Sequence, residues 1–251
     1  MQKEILILAK SAKHGGYCVA GVEVEQAAGG HRVLGNNWVR PVSELSDGTC
    51  SGAIPREMCD SFQVGDIVIA DLKGHAPVVG QQENWVWAGT PFKSAGKVSD
   101  IRVLRYLTAP AQPIWFDAST NRDDQVSECT VIRNGIGHSL MLVAPEDLVF
   151  SLEVEQTSYG LRKRIFATFS HQGKTFQRLV VTEPSLRKVF SNQFPREEGV
   201  TVSKRLNHKD SYWLTLSLSP KFSGTCGGPA YHYLLVAAVI DHSGYLNRRY
   251  G

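Results

Sequence analysis

The stretch Arg162–Val181, RKRIFATFSHQGKTFQRLVV, decides the fold class of this chain. Polar and apolar residues alternate on both sides of Gln172-Gly173, and alternation with a period of two is typical of strands that bury one face. A Gln-Gly pair suits a two-residue turn, because glycine adopts a positive φ without strain. The stretch therefore predicts an antiparallel β-hairpin.

The hairpin assigns a face to each of its side chains. With a two-residue turn, Phe169 lies opposite Phe176, and Ala167 lies opposite Arg178. Arg178 then falls on the apolar core face, whereas Phe166 falls on the polar face. Two interpretations stay open. Either Arg178 and Phe166 bind single-stranded nucleic acid by charge and stacking, or Arg178 reaches water from a barrel mouth while Phe166 caps a second small core.

Most other predicted elements are also short strands. They span residues 4–9, 17–25, 37–41, 65–72, 85–88, 101–107, 141–143, 148–154, 212–218 and 231–240. Ser119–Asn121 predicts the cap of one short helix, and Pro184–Asn192 predicts a second helix with proline in its first turn. Short strands with few helices indicate an all-β protein with one or two short helices, built as two packed barrels or a sandwich.

Charge divides the chain at the point where the strand pattern restarts. Residues 1–150 hold 13 Lys and Arg against 17 Asp and Glu, whereas residues 151–251 hold 14 against 7, in a chain of net charge +3. We therefore expect two domains, 1–145 and 146–251. The basic second half predicts a surface that binds a polyanion, and a merely solvated charge imbalance is the alternative.

The five cysteines are scattered without a pair at metal-binding spacing: Cys18, Cys50, Cys59, Cys129 and Cys226. Such thiols fit a reducing compartment and predict neither a zinc site nor a disulfide framework. No apolar run approaches the roughly 20 residues that span a bilayer. We expect a cytoplasmic protein without a metal, a cofactor or a membrane partner.

Several short motifs point to a known family. They are Lys10–Gly21 (KSAKHGGYCVAG), Trp38–Pro41 (WVRP), Gly65–Val68 (GDIV), Glu83–Trp85 (ENW) and Val181–Pro184 (VTEP). Together they resemble the motifs of the dual OB-containing domain proteins, along most of the chain. The sequence departs from the family pattern in having Glu183 for Asp, and Ser219-Pro220 in place of a glycine.

The resemblance implies two OB-like barrels in one compact unit. It also implies a bacterial or phage-linked setting, in which such proteins accompany defence or nucleic-acid-modifying systems. It brings no catalytic residue with it. OB barrels are a common platform for oligonucleotides, although a fold alone does not determine a function.

A polar cluster in the first half is a candidate phosphate or ligand site. Its members are Lys10, Lys13, His14, Arg40, Glu83, Asn84 and Trp85. The glycines after His14 would let backbone N–H groups approach an anion. The alternative is structural: Arg40 pairs with Glu83, and the tryptophans belong to the core.

Catalytic interpretations find little support in the sequence. Cys18 and His14 lack an orienting third group, and Asp123-Asp124 and Glu146-Asp147 are paired carboxylates without further metal ligands. The leading prediction is a non-enzymatic accessory protein that binds single-stranded or duplex nucleic acid. Its binding residues would be Arg162, Lys163, Arg164, Phe166, Arg178, Lys204, Arg205 and Lys209. The alternatives are a small-molecule or nucleotide-binding module at the first-half cluster, and a protein-interaction adaptor for a partner enzyme.

Overall fold

The computed structural model describes residues 1–13, 15–28, 30–44, 50–98, 103–108, 113–158, 160–205, 212–223 and 229–242. Two of the predicted site residues, His14 and Lys209, lie outside these ranges. Within the ranges, no helix has both the length and the apolar character that crossing a membrane requires. The chain is mainly β, as the sequence predicts.

The first half forms a closed five-stranded barrel. Its elements are β1 (Gln2–Lys13), β2 (Gly16–Ala27), β3 (Gly30–Glu44), β4 (Cys50–Gly52), β5 (Ile54–Pro55), α1 (Arg56–Cys59), β6 (Asp66–His75), β7 (Asn84–Trp87), β8 (Lys93–Lys97) and α2 (Leu104–Leu107). Strands β1, β2, β3, β7 and β6 pair in a ring, in which only β3 and β7 run parallel. This five-stranded ring is the arrangement of an OB barrel.

The second half repeats this arrangement with one break. Its elements are β9 (Gln125–Ser127), α3 (Glu128–Arg133), β10 (Leu140–Val143), β11 (Glu146–Thr157), β12 (Gly160–His171), β13 (Lys174–Val181), α4 (Pro184–Val189), β14 (Thr201–Lys204), β15 (Tyr212–Leu218), β16 (Phe222–Ser223) and β17 (Ala230–Asp241). Pro145 divides the first strand of the second barrel into β10 and β11, because proline cannot donate a hydrogen bond to the sheet. One part, β10, pairs with β15, and the other, β11, pairs with β12. The parallel pair is β13 and β17.

The two barrels pack against each other. Trp213, Ala238 and Ile240 of the second half belong to the hydrophobic cluster of the first barrel. Strands β9 and β10 precede residue 145, yet they hydrogen-bond with β17 and β15 of the second sheet. The division into domains 1–145 and 146–251 stays a prediction.

Two predicted elements differ from the structure. Leu104–Leu107, predicted as part of a strand, is the short helix α2, because its buried residues Leu104 and Leu107 are spaced for one helical face. Ser119–Asn121 does not cap a helix. The Asp117 carboxylate instead accepts the backbone N–H groups of Ser119 and Ser127, each at 2.9 Å, and the helix begins later, with Ser127 as its cap.

The decisive hairpin forms with a bulge. Gln172 and Gly173 have φ of 51° and 75°, and Phe169 faces Phe176, which confirms the turn and the first pairs. Arg178 then takes φ 56°, and Ala167 pairs with Leu179 instead of Arg178. One extra residue in β13 moves the side chains after it to the opposite face of the sheet. The placement of Arg178 on the core face is therefore wrong: Arg178 is exposed, and Leu179 is buried.

The motif Lys10–Gly21 contributes a close contact between strands. A Cβ added at Gly21 would lie 2.0 Å from the carbonyl oxygen of Leu6 in β1. Only glycine permits β2 to cross β1 at that distance. This glycine of the motif therefore belongs to the barrel wall.

Candidate nucleic-acid interface and the pocket between the barrels

The outer face of β12 and β13 has an acidic end. Both Nη atoms of Arg178 donate to the Glu153 carboxylate, and Nη2 lies 3.0 Å from Oε2. This hydrogen bonding lowers the pKa of Glu153. The guanidinium of Arg178 also lies 4.3 Å from the ring centroid of Phe166. Asp123 and Glu198 line the same depression. The charge of Arg178 is thus neutralised, and one face of the Phe166 ring is covered.

The other end of β12 is basic. Arg162 and Arg164 lie on its outer face, whereas Lys163 lies on the opposite side of the strand, with Nζ 5.1 Å from the ring centroid of Phe194. We call Arg162, Lys163, Arg164 and Arg187 the basic surface. Here β12 runs past the end of β13, and Arg187 of α4 donates from Nη2 to the carbonyl oxygen of Lys163 at 3.1 Å. Lys163 donates to the carbonyl oxygen of Ser191 at 3.4 Å. Its ammonium keeps further donors for a ligand.

Positive charge is crowded at the basic surface. Burial, and next the charges of Arg162 and Arg164, lower the pKa of Arg187. Arg164 pairs with Glu155 through its Nε, whereas the exposed side chain of Arg162 has no hydrogen bond or ion pair with the residues that the structure describes. An anion bound here would relieve repulsion among three guanidinium groups.

The remaining predicted cations of the second half lie elsewhere. Lys204 ends β14 and lies level with Phe150 of β11, whereas Arg162 lies level with Glu155 of the same strand. β14 and β12 flank opposite sides of β11, so two strand spacings also separate the two side chains. Arg205 follows Lys204 and is exposed. The structure therefore does not bring this pair to the basic surface.

An open groove of about 1050 Å³ extends from Arg164 to the first barrel. Its charged and aromatic lining comprises Lys13, Arg122, Asp124, Arg164, Lys221, Phe222 and Tyr233. Phe222 is 57% exposed and contacts Tyr233 edge to face, with 6.3 Å between ring centroids. Asp124 pairs with Arg122, and Lys221 pairs with Glu128 at 3.1 Å. Exposed rings among cations are typical of grooves that bind single strands.

Sequence reasoning did not find Arg122, Arg187, Phe222 or Tyr233. Arg122 lies in an irregular segment and Phe222 lies in the two-residue strand β16, and neither segment shows a periodic sequence pattern. Arg187 was visible only as a polar position on a predicted helix. The one available signal was the alternation of Tyr231 and Tyr233 in the last strand, which places both rings on one face.

Arg40 and Glu83 form the ion pair that the structural alternative for the first-half cluster predicts. Arg40 Nη2 lies 3.3 Å from Glu83 Oε1, and the carboxylate is fully buried. Ser139 donates to it from both its backbone N–H and its hydroxyl, and His138 Nδ1 lies 3.8 Å from Oε2. Burial acts to raise the pKa of Glu83, but His138, Arg40 and Ser139 outweigh it and lower the pKa. Arg40 also donates to Ser217 at 3.2 Å, so this cluster joins the two barrels.

Three other members of the first-half cluster, Lys10, Asn84 and Trp85, each contact a different neighbour. Lys10 is buried and donates to the carbonyl oxygen of Phe62 at 2.9 Å, and burial lowers its pKa. Asn84 is buried and donates to Gln81 at 3.2 Å. Trp85 is half-buried, with Lys3 Nζ 4.6 Å from its ring centroid.

A pocket of about 230 Å³ lies between the barrels. Its walls include Arg40 and Lys13, together with the hydroxyl groups of Ser11, Thr182 and Ser217. Small aliphatic side chains of both barrels make up much of the rest. Lys10 is not part of this lining. Among the residues that the structure describes, no three His, Cys, Asp or Glu side chains are grouped so that they could hold a metal ion.

These observations define a protein of two OB-like barrels that pack over a shared polar cluster, with an open groove that residues of both barrels line. The fold is of the nucleic-acid-binding type. The chain belongs to the dual OB-containing domain family, whose family model matches residues 3–239. The match confirms the family that the short motifs resemble. No curated protein and no solved structure matches the chain significantly.

Proposed function

We propose that the protein binds single-stranded nucleic acid along the groove and the basic surface. The observation that supports this most is the crowding of Arg162, Arg164 and Arg187 beside an open groove. β12 and β13 are the second and third strands of their barrel, and the corresponding face of OB barrels commonly binds oligonucleotides. The phosphates would lie against the guanidinium groups, and bases would stack on Phe222.

The choice of a single strand rests on the exposed aromatic ring. Stacking of a base on an aromatic side chain contributes about 1–3 kcal/mol per base, and a duplex keeps its bases stacked on one another. Phe222 and Tyr233 lie where bases of a strand along the groove would pass. The proposal gives Arg178 and Phe166 a smaller part, because Glu153 already neutralises this arginine.

The proposal extends to an accessory, non-enzymatic role in a prokaryotic defence or nucleic-acid-processing system. This extension rests on the family resemblance alone. A cytoplasmic location and a partner enzyme likewise stay predictions. The binding proposal can be tested without them.

Fluorescence anisotropy with single-stranded DNA, single-stranded RNA and duplex DNA of one sequence tests the proposal. We expect a single strand to bind with a Kd in the micromolar range or below at 50 mM salt. If four phosphates are contacted, a rise to 200 mM salt weakens this binding by about 50-fold. Tighter binding of the duplex would contradict the single-strand proposal, and absence of binding at 50 mM salt would overturn nucleic-acid binding altogether.

A further inference from the structure

The pocket between the barrels contains an arginine with unused donors. Arg40 is 7% exposed, and both of its side-chain partners, Ser217 and Glu83, contact Nη2. A guanidinium has five N–H donors. The N–H groups on Nε and Nη1 therefore have no acceptor among the residues that the structure describes. These donors belong to a largely buried arginine in the pocket wall, where the acceptors of a bound ligand could pair with them.

The surroundings of Arg40 favour a neutral ligand group. Glu83 already compensates the charge of Arg40, and a second anion in the pocket would also experience the charge of Glu83. Two neutral acceptors side by side therefore match the planar donor fork of Arg40 better than an anionic group does. The O6 and N7 edge of guanine has this arrangement, and arginine commonly binds it in two-pronged fashion.

The size and the walls of the pocket fit one nucleobase. A volume of about 230 Å³ has room for about eight water molecules, which suits one bicyclic ring better than a whole nucleotide. The walls include Ala9, Ala20, Val42, Leu140 and Ala237. Apolar walls with a few convergent polar groups are typical of small-molecule sites.

The pocket adjoins the groove. Lys13, Gly52, Ser219, Pro220 and Leu235 line both the pocket and the groove. A base that enters the pocket can therefore remain attached to a strand that lies in the groove.

We propose that the interbarrel pocket binds a single nucleobase, guanine by preference, through two hydrogen bonds from Arg40. The base belongs either to a strand in the groove or to a free nucleoside. The first source rests on the proposed function, whereas the second does not.

The variant Arg40→Lys tests the proposal, because lysine keeps the charge beside Glu83 but lacks the two-pronged donor fork. Arg178→Lys is the matched control, since Arg178 also pairs with a glutamate but lies outside the pocket. Ala12→Leu is a second variant that fills the pocket. The Ala12 side chain is exposed in the pocket lining, so this change leaves the Arg40–Glu83 pair in place.

Calorimetry with guanosine, adenosine, cytidine and uridine measures the affinity of the protein for each free nucleoside. Anisotropy tests binding of a base within a strand, with an oligonucleotide that has one guanine and with the same strand carrying adenine, or no base, at that position. We expect a preference for guanine of about tenfold or more in at least one of the two assays. Arg40→Lys and Ala12→Leu should abolish this preference, and Arg178→Lys should retain it.

The outcomes separate the two proposals. Equal affinity for the intact and abasic strands, without nucleoside binding, would overturn the pocket proposal and leave nucleic-acid binding in place. Guanosine binding without any oligonucleotide binding would support the pocket proposal and overturn nucleic-acid binding along the groove. A guanine preference that persists in both Arg40→Lys and Ala12→Leu would overturn the assignment to this pocket.

Discussion

Replacing Arg162 and Lys163 together by glutamate should lower the affinity for a single-stranded oligonucleotide by about 100-fold at 50 mM salt. Two charge-assisted contacts are lost, and two negative charges then repel the phosphates, for a total of about 3 kcal/mol. The slope of log affinity against log salt should also fall by about 1.4, because two phosphate contacts disappear. Anisotropy titrations at four salt concentrations measure both quantities.

The control for this variant changes the net charge equally on the first barrel. Lys73 and Lys93 are exposed on β6 and β8, and the Lys73→Glu, Lys93→Glu double variant also lowers the net charge by four. We expect less than about a threefold loss of affinity from it, because the added charges lie away from the basic surface and are screened over about 14 Å at 50 mM salt. Equal losses in the two double variants would show an effect of net charge alone and contradict the proposed surface.

Removing the buried carboxylate between the barrels should have the largest effect on stability. We expect Glu83→Ala to lower the free energy of unfolding by about 3–5 kcal/mol, because it leaves a buried guanidinium at Arg40 without its counter-charge. The N–H and hydroxyl groups of Ser139 lose their acceptor as well. For a chain of this size, the Tm should fall by about 10 °C.

Urea denaturation measures this effect as a shift of the midpoint at constant slope. The matched control is Glu155→Ala, which removes the half-exposed carboxylate that pairs with Arg164. An exposed pair of this kind contributes about 0–1 kcal/mol. If Glu83→Ala and Glu155→Ala unfold at the same urea concentration, the Arg40–Glu83 cluster does not hold the barrels together.

The architecture could be predicted from local patterns, because strand alternation and turn residues are local properties. The Gln172-Gly173 turn, the pairing of Phe169 with Phe176 and the helix after Pro184 all follow from neighbouring residues. The bulge at Arg178 does not follow. A single residue in the left-handed region inverts the faces beyond it, and an arginine at that position gives no sign of it.

The candidate sites were harder to predict, because their members are distant in the chain. Arg40 contacts Ser217 across 177 positions, and Glu83 contacts Ser139 across 56. The pair of Arg40 and Glu83 was open to prediction from the motifs that contain them, but its role in joining the barrels was not. Charge counting located the excess of Lys and Arg in residues 151–251. It could not show that Glu153 neutralises Arg178 while Arg162 stays without a partner among the described residues.

Ultraviolet cross-linking to a single-stranded oligonucleotide with 5-bromouracil bases, followed by peptide mapping, tests the location of binding most directly. We expect adducts on Phe222 or Tyr233, the aromatic residues that line the groove. We also expect the Arg162→Glu, Lys163→Glu variant to reduce their yield. Adducts confined to Trp85 or Trp87 of β7, which line neither the groove nor the pocket, would contradict this location.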